Sequence, residues 1–197
     1  MGRPHLVNSL GVVLKDSEAR LVMGPMVLNR WQRRWPLEYE NLSLAEDFLQ
    51  PGDYVFKDDA KAGYHHIPIH PDYWKYLVVE WQGKYYYFKF LPFGLSSACY
   101  VYTQFQLVAN RVLRLYGAEM LQYIDDSLTA SRTAHLARYR AYERLLMGAA
   151  LGIFFSDKSN FLPSQITTIL GMDITTIATD PEFPGQYFVC FSVPQKR

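Results

Sequence analysis

Two adjacent aspartates between two short apolar runs constrain this chain of 197 residues more than any other feature. They lie in Tyr123-Ile124-Asp125-Asp126, between strand-like runs at 119–124 and 127–130. The Asp-Asp-Ser sequence between these runs predicts the turn of a β-hairpin. Neighbouring carboxylates at a tight turn repel one another, and a divalent cation compensates them because Mg²⁺ prefers hard oxygen ligands. A solvated turn is the alternative, since aspartate is common in turns.

Composition limits the classes of protein open to this chain. Its length suits one domain, or one domain with a small lobe, and is sufficient to bury a core. Cys99 and Cys190 are the only cysteines, too few for a disulfide scaffold or a zinc site, so we expect an intracellular setting, nuclear or cytoplasmic. No apolar run approaches the ~18 residues of a membrane span, and no secretory leader is visible.

The formal net charge of +1 hides local clusters of charge. Acids gather at Asp58-Asp59 and Asp125-Asp126, and arginines gather in three stretches. These stretches are Arg30, Arg33 and Arg34; Arg111 and Arg114; and Arg132, Arg138, Arg140 and Arg144. Basic surfaces around an acidic centre suit a polyanion that is bound together with metal. Solvated helix faces are the alternative interpretation of the arginines.

Three helices are predicted from capping residues and apolar periodicity. The first covers 43–49 with a capping box of Ser43 and Glu46. The second runs from Ser96 or Ser97 to about 116, and the third from Ser131 or Thr133 to about 151, each ended by a glycine. The apolar positions expected to face the core are Ala98, Val101, Tyr102, Phe105, Val108, Val112 and Leu115 in the second helix, and Leu136, Tyr139, Leu146 and Ala150 in the third.

Strands are predicted between these helices. They are 21–23, 54–57 running into Asp58-Asp59, a hairpin of 75–81 and 84–90 with Gln82-Gly83 at its turn, and a last hairpin of 169–174 and 187–193. Strands interleaved with two long helices, with few parallel crossovers, indicate an α+β fold in which helices back an antiparallel sheet. In such a sheet Asp59 can lie beside Asp125 and Asp126, and three converging carboxylates favour a two-metal site.

Five motifs in order resemble the fingers and palm of a reverse transcriptase over about 15–193. They are Tyr123-Ile124-Asp125-Asp126, Asp59 with Tyr64 five positions later, Leu91-Pro92-Phe93-Gly94-Leu95-Ser96-Ser97, Lys158, and Leu170-Gly171. The resemblance implies a polymerase palm with a fingers subdomain, and neither a thumb nor an RNase H domain within the chain. Residues 1–53 would be mainly fingers, 54–66 palm, 67–95 a fingers hairpin and return to palm, 96–167 palm, and 168–197 the primer-grip hairpin and start of a thumb.

The resemblance also implies an activity, its cofactor and its partners. The chain would be an RNA-directed DNA polymerase that adds deoxynucleotides to a primer 3′ end on an RNA or DNA template, with two Mg²⁺ ions for which Mn²⁺ can substitute. No membrane would be involved, and further domains or other subunits are expected partners. Within the family, His65–Asp72 and Trp74–Leu77 are most similar to DIRS-type retrotransposons, which carry a tyrosine recombinase.

Site residues are carried over from the family's motifs. Metal ligands would be Asp59, Asp125 and Asp126 with the Ala60 carbonyl, and Lys158 would protonate the leaving pyrophosphate or orient the phosphates. Nucleotide contacts would come from Lys15, Arg20, backbone amides near Lys61 and Ala62, Tyr64 as a barrier to a 2′-hydroxyl, Phe93 and Gly94. Primer or template contacts would come from Tyr123, Leu170, Gly171 and Met172.

Some positions depart from the family's pattern or leave alternatives open. Asp58 is a rival to Asp59 as a metal ligand, but the spacing to Tyr64 selects Asp59, and the alternation of a strand points the two side chains to opposite faces. Gly24 and Met26 stand where the fingers motif carries an acid and a second basic residue. The alternative function is a truncated or host-adopted palm that binds nucleic acid without polymerising.

Overall fold

A computed structural model describes residues 4–15 and 18–194. The chain divides into two compact units, each made of two separate stretches. The first unit extends to Leu37 and resumes over residues 62–104, and the second comprises residues 38–61 and the chain from Phe105 onward. None of the helices formed by the described residues has the length and apolar character needed to cross a membrane.

The helices and strands of the described residues follow in chain order. The strands are β1 Val7–Lys15, β2 Glu18–Gly24, β3 Tyr54–Asp59, β4 Val78–Trp81, β5 Lys84–Tyr87, β6 Glu119–Tyr123, β7 Asp126–Ser131, β8 Asn160–Ser164, β9 Ile166–Ile169, β10 Met172–Ala178 and β11 Phe188–Ser192. The α-helices are α1 Met26–Trp31, α2 Leu42–Phe48, α3 Ala98–Leu115 and α4 Ala134–Leu151, and Gly63–His66 and Pro71–Tyr76 are 3₁₀-helices.

The first unit contains a four-stranded sheet in the order β2-β1-β4-β5. Strand β1 pairs antiparallel with β2 and parallel with β4, and β4 and β5 form a hairpin. The hairpin turn at Gln82-Gly83 is confirmed, and both residues have positive φ, 51° and 72°, as a type I′ turn requires. The hairpin is shorter than predicted because the 3₁₀-helix Pro71–Tyr76 occupies the start of its first segment.

The second unit contains an antiparallel sheet in the order β6-β7-β3-β8 and a three-stranded sheet in the order β11-β10-β9. Helix α4 packs on β3, β7 and β8, and α2 packs on β6. The side chains of one buried cluster come from both sheets and α2; they are Ala45, Leu49, Val55, Leu121, Leu128, Ala130, Ile169 and Ile174. Strand β3 is buried on both faces, because Val55 is 0% and Phe56 2% exposed.

The predicted ends of the two long helices are confirmed. The predicted inner face of α3 is confirmed at Ala98 and Tyr102, which are 1% and 0% exposed, but it is wrong in the second half of α3 and throughout α4. Gly117 and Gly152 follow α3 and α4 with φ of 84° and 68°, and Thr133 caps α4. Val108 is 69% and Tyr139 53% exposed. The other predicted core positions found exposed are Val112, Leu115, Leu136, Leu146 and Ala150. Most of the buried side chains of α4 are small, and the buried positions are Ala137, Ala141, Arg144 and Gly148.

Two further predictions about helices are corrected. The capping residue of α2 is Asn41, whose side chain accepts a hydrogen bond from the Ser43 amide at 2.8 Å, so the predicted capping box of Ser43 and Glu46 is wrong. The short helix α1 was not predicted, because its six residues give no clear apolar periodicity. Both errors concern segments of less than two helical turns, where local sequence signals are weakest.

Gly148 allows helix α4 to lie close to Phe155. A Cβ atom at this position would stand 2.6 Å from Cε2 and 2.8 Å from Cζ of the Phe155 ring. We expect Gly148→Ala to lower the free energy of unfolding by about 1–2 kcal/mol in a urea titration, because overpacking outweighs the gain in helix propensity. The same substitution in a Phe155→Leu background should cost less. Stabilisation by Gly148→Ala alone would contradict this close packing.

Candidate active site

The register of β3 against β7 brings two of the predicted acids together. Asp59 is the direct cross-strand partner of Asp126. The hairpin between β6 and β7 has its turn at Ile124-Asp125, and Asp126 already pairs with Tyr123. The hairpin is therefore confirmed, but the predicted Asp-Asp-Ser turn is wrong by one to two residues. Side chains of directly opposed residues share one face of a sheet, so the carboxylates of Asp59 and Asp126 face the same side.

Hydrogen bonds on both sides of the strand end fix Asp59. The Ser156 hydroxyl donates to Asp59 Oδ2 at 2.6 Å, and the Asp59 amide donates to Ser159 Oγ at 3.0 Å. The Ser156 amide donates to the Asp59 carbonyl, and the Ala60 amide donates to the Asp125 carbonyl, each at 2.8 Å. Neither serine was predicted to be a site residue. Their position on either side of Lys158 was the available signal.

Asp58 is excluded as a rival metal ligand because it forms a buried ion pair. The Arg144 guanidinium donates to Asp58 Oδ1 at 2.8 Å, and both side chains are at most 1% exposed. The strand alternation that separates Asp58 from Asp59 is thus confirmed. The interpretation of Arg144 as part of a basic surface or a solvated helix face is wrong, since its charge is matched inside the protein.

Other arginines of the predicted basic surface are also engaged in ion pairs. Arg114 lies 2.6 Å from Glu40, and Arg140 lies 2.6 Å from Glu143. Arg132 pairs with Asp53, whose side chain is 2% exposed. These contacts compensate the positive charges of arginines that were predicted to bind a polyanion. Arg111 and Arg138 remain exposed.

The carboxyl group of Asp126 is half-buried beside other acids. Burial raises its pKa to about 6, and the charges of Asp125 and Asp59 add to the rise. The ammonium of Lys57 offsets part of this effect. Among the described residues, no three His, Cys, Asp or Glu side chains form a group placed to hold a metal ion. The donor chemistry nevertheless fits Mg²⁺, because facing carboxylates are hard oxygen ligands, and the raised pKa of Asp126 shows that its charge is not fully compensated.

A small cavity adjoins the two facing acids. Its volume is about 120 Å³, and its lining includes Asp59, Asp126, Lys158, Leu170 and Gly171. This volume holds a few waters or an ion, since one water occupies about 30 Å³ in the liquid. Leu170 and Gly171 form the tight turn between β9 and β10, with φ of 51° and 75°. The cavity thus joins the acids to the lysine and to the turn that the sequence analysis assigned to primer contact.

Three other residues predicted to bind nucleotide, primer or template belong to the second unit; they are Met172, Tyr123 and Lys61. Met172 begins β10 and pairs with Ile169. The Tyr123 ring lies 5.4 Å from that of Tyr39. The Lys61 amide donates to the Phe154 carbonyl at 2.8 Å, so this amide is already occupied, while the Lys61 side chain is exposed.

In the first unit, Tyr64 and Phe93 form an aromatic pair. Their ring centroids are 4.9 Å apart, and the Tyr64 hydroxyl lies 2.7 Å from Cys99 Sγ. Gly94 has φ of 102°, and a Cβ atom there would lie 1.8 Å from the Met23 carbonyl, so only glycine fits against β2. The role of Cys99 as a neighbour of Tyr64 was not predicted, and no local sequence signal indicates it.

The other predicted nucleotide-binding residues of the first unit are Arg20, Ala62 and Lys15. Arg20 lies on β2 opposite Val13. Ala62 is exposed and has a positive φ of 52°. Lys15 ends β1, and its side chain lies outside the described part of the chain.

Comparison with known proteins shows the fold. No family model matches the chain. A putative enzymatic polyprotein of Cassava vein mosaic virus is 32% identical over 126 residues, covering 61% of this chain and 18% of that relative. A foamy viral protease-reverse transcriptase in complex with double-stranded DNA superposes with a TM-score of 0.77 at 20% identity, covering 86% of this chain and 30% of that one. Its complex with an RNA/DNA hybrid gives 0.76 at 19% identity, covering 89% and 23%.

The native protease-reverse transcriptase of Prototype Foamy Virus gives a TM-score of 0.74 at 16% identity, covering 91% of this chain and 24% of that one. The described residues therefore have a reverse-transcriptase-like fold, and the expected α+β class with antiparallel sheets is confirmed. The chain spans less than a third of the length of each of these relatives.

The raised pKa of Asp126 leads to a prediction about stability. The folded-state pKa of about 6 lies above the ordinary value of 3.8, so the folded state retains a proton that the unfolded state loses. Stability therefore falls as pH rises between these values. We expect Asp126→Asn, in metal-free buffer at pH 7.5, to raise the free energy of unfolding by about 1–2 kcal/mol after allowance for solvent screening.

The gain should shrink towards zero below about pH 4, where both states carry the proton. Urea titrations at pH 3.5 and 7.5 measure it. Asp72→Asn is the matched control, because the Asp72 side chain is 82% exposed. An equal effect of Asp126→Asn at both pH values would rule out ionisation as the cause.

Proposed function

We propose that this chain is the catalytic part of an RNA-directed DNA polymerase that extends a primer with deoxynucleotides on an RNA or DNA template. One observation carries the proposal: Asp59 and Asp126 stand directly opposite each other beside Lys158 and the Leu170-Gly171 turn. The reverse-transcriptase-like fold supports it. The nucleic acids in the related foamy viral complexes support a template-primer as partner of this chain.

The acids of the second unit have the donor chemistry for two Mg²⁺ or Mn²⁺ ions. Asp59, Asp125 and Asp126 would hold them, with the Ala60 carbonyl as a further ligand. Bound ions of this kind activate the attacking hydroxyl and neutralise the departing pyrophosphate. Ser156 orients Asp59 through its 2.6 Å hydrogen bond. Exposed Lys158 supplies a proton or a positive charge to phosphate oxygens.

Contacts to nucleotide and primer complete the proposal. In the first unit we assign Tyr64 to the sugar, Phe93 and Gly94 to the floor of the nucleotide pocket, and Arg20 with Lys15 to the triphosphate. Ala62 contributes its backbone and Lys61 its exposed amine, since the Lys61 amide is occupied by Phe154. In the second unit we assign Tyr123, Leu170, Gly171 and Met172 to primer or template.

The source and the subdivision of the chain are part of the same proposal. We assign it to a retroelement of the DIRS type, on the strength of its own residues His65–Asp72 and Trp74–Leu77. Fingers would comprise mainly 1–53 with the hairpin 67–95, and palm 54–66 with 96–167. The segment 168–197 would hold the primer-grip hairpin and the start of a thumb. Further domains or subunits would assist the chain.

Primer extension tests the activity. On an RNA template with a DNA primer, we expect incorporation of deoxynucleotides that depends on Mg²⁺ or Mn²⁺. Asp59→Asn and Asp125→Asn should each reduce the rate by about 100-fold or more, because metal-ion stabilisation is worth several kcal/mol in the transition state. Asp72→Asn is the control and should retain the rate. Binding of template-primer without incorporation, unchanged by Asp125→Asn, would favour the non-polymerising alternative.

Discrimination between sugars tests Tyr64. Replacing its ring by a methyl group in Tyr64→Ala removes the proposed barrier to a 2′-hydroxyl, so kcat/KM for ribonucleotides should rise at least tenfold relative to deoxynucleotides. Tyr64→Phe keeps the ring, loses the hydroxyl that contacts Cys99, and should preserve discrimination. Single-nucleotide incorporation measures both. An unchanged ratio in Tyr64→Ala would remove this role.

A further inference from the structure

A row of buried polar side chains lies directly beneath the row that carries the two facing acids. Asp58, Ser127 and Gln122 are cross-strand neighbours on β3, β7 and β6. The next row, one residue along each strand, is Asp59, Asp126 and Tyr123. Because successive residues of a strand point to opposite faces, the polar row lies on the other face, towards α3 and α4. Its members are 0–3% exposed, so each of their polar groups needs a partner inside the protein.

One end of this row is fixed by helix α4. The Arg144 guanidinium binds Asp58 through Nε at 3.1 Å and Nη2 at 2.8 Å, and Ser127 donates to the same carboxylate. Nη1 of Arg144 donates to Asn110 Oδ1 on α3 at 3.2 Å. Arginine has donors only, so it can bind only the carbonyl end of the Asn110 amide.

The orientation of Asn110 is passed on to the hairpin. Asn110 Nδ2 donates to Gln122 Oε1 at 2.8 Å. This contact leaves Gln122 Nε2 to donate to the carbonyls of Ile124 at 2.9 Å and Asp126 at 3.1 Å. Without the guanidinium the Asn110 amide can flip, and a flipped Asn110 would present an oxygen to Gln122 Oε1. Gln122 could relieve that contact only by turning Nε2 away from the carbonyls of Ile124 and Asp126. These hydrogen bonds therefore form one connected series from Arg144 through Asn110 and Gln122 to the turn.

The turn that receives these bonds needs support. Ile124 is β-branched and has a positive φ of 53°, a conformation that costs of order 1–3 kcal/mol for such a residue. Gln122 binds the carbonyls on both sides of Asp125, which brackets the turn. The Ala60 amide holds the Asp125 carbonyl itself at 2.8 Å. Together these three hydrogen bonds fix successive peptide groups of the acidic turn.

We propose that Gln122, Asn110 and Arg144 are positioning residues for the Asp125-Asp126 carboxylates. They act through the backbone of the turn and touch neither substrate nor ion. The proposal rests on the proposed function for its consequence, since the position of the carboxylates determines how tightly a divalent cation is held. Loss of residues that orient metal ligands typically weakens metal affinity 10- to 100-fold.

Two variants separate a positioning role of Arg144 from a purely structural role of its ion pair with Asp58. Arg144→Met alone leaves Asp58 as an unpaired buried charge and should destabilise the fold. The double variant Asp58→Leu/Arg144→Met removes both charges, so stability should recover, because apolar replacement of a buried pair is often neutral or stabilising. Asn110 still lacks its orienting donor in the double variant. Positioning and stability are thus separated within one pair of variants.

The experiment uses the 197-residue chain and two readouts. Hydrogen exchange of the peptide over 119–131 reports on the hairpin, and Mn²⁺ titration followed by electron paramagnetic resonance reports on the carboxylates. We expect Gln122→Met, which keeps length and loses the amide, and the double variant to exchange at least tenfold faster at the hairpin. We expect both to bind Mn²⁺ at least tenfold more weakly, measured at a temperature at which thermal unfolding curves show each variant to be fully folded. Gln104→Met, at an exposed position, is the matched control.

Each of the possible outcomes supports or overturns the positioning role. Exchange and Mn²⁺ affinity equal to those of Gln104→Met in both variants would overturn the positioning role. If the double variant does not fold, Gln122→Met decides alone. If Asp126→Asn leaves Mn²⁺ binding unchanged while Gln122→Met still loosens the hairpin, the support of the turn stands and the proposed metal function fails.

Discussion

The antiparallel pairing of β3 with β7 is the constraint on which the site depends. Its register places Asp59 opposite Asp126 and Asp58 opposite Ser127. Because side chains alternate along a strand, a slip of one residue would bury Asp59 against α4 and turn Asp58 towards the cavity. Core packing opposes such a slip, since Val55 and Phe56 are both buried, on opposite faces of β3. The same register therefore sets the core and the arrangement of the acids.

Local features of this arrangement could be predicted from the sequence. The acidic hairpin, the end of β3 at its aspartates and the glycines after α3 and α4 follow from turn and capping chemistry. The spacing to Tyr64 and the strand period separated Asp59 from Asp58. The roles of the acids in catalysis came from the resemblance to reverse transcriptases, and their partners Ser156 and Ser159 were not found, because serines about 100 residues away carry no periodic signal.

The buried face of α4 could not be predicted for a physical reason. Apolar periodicity selects the face with the largest apolar side chains, whereas the buried positions of α4 include the small residues Ala137, Ala141 and Gly148. Small residues allow close approach and give a weak periodic signal. Arg144 is still harder to recognise, because its burial depends on Asp58, 86 residues away in the sequence. A buried charge becomes plausible only when its partner is known.

The acidic side chains on the two faces of the β6-β7-β3-β8 sheet are compensated differently, and this difference links folding to ligand binding. On the face covered by α4 the Arg144 guanidinium neutralises Asp58. On the other face Asp59 and Asp126 oppose each other, and the pKa of Asp126 is raised to about 6. A cation bound there would favour the ionised carboxylates and would stabilise the folded state by mass action. The internal pair fixes the strand end, so repulsion between the outer acids can be relieved by an ion instead of by a shift of the strands.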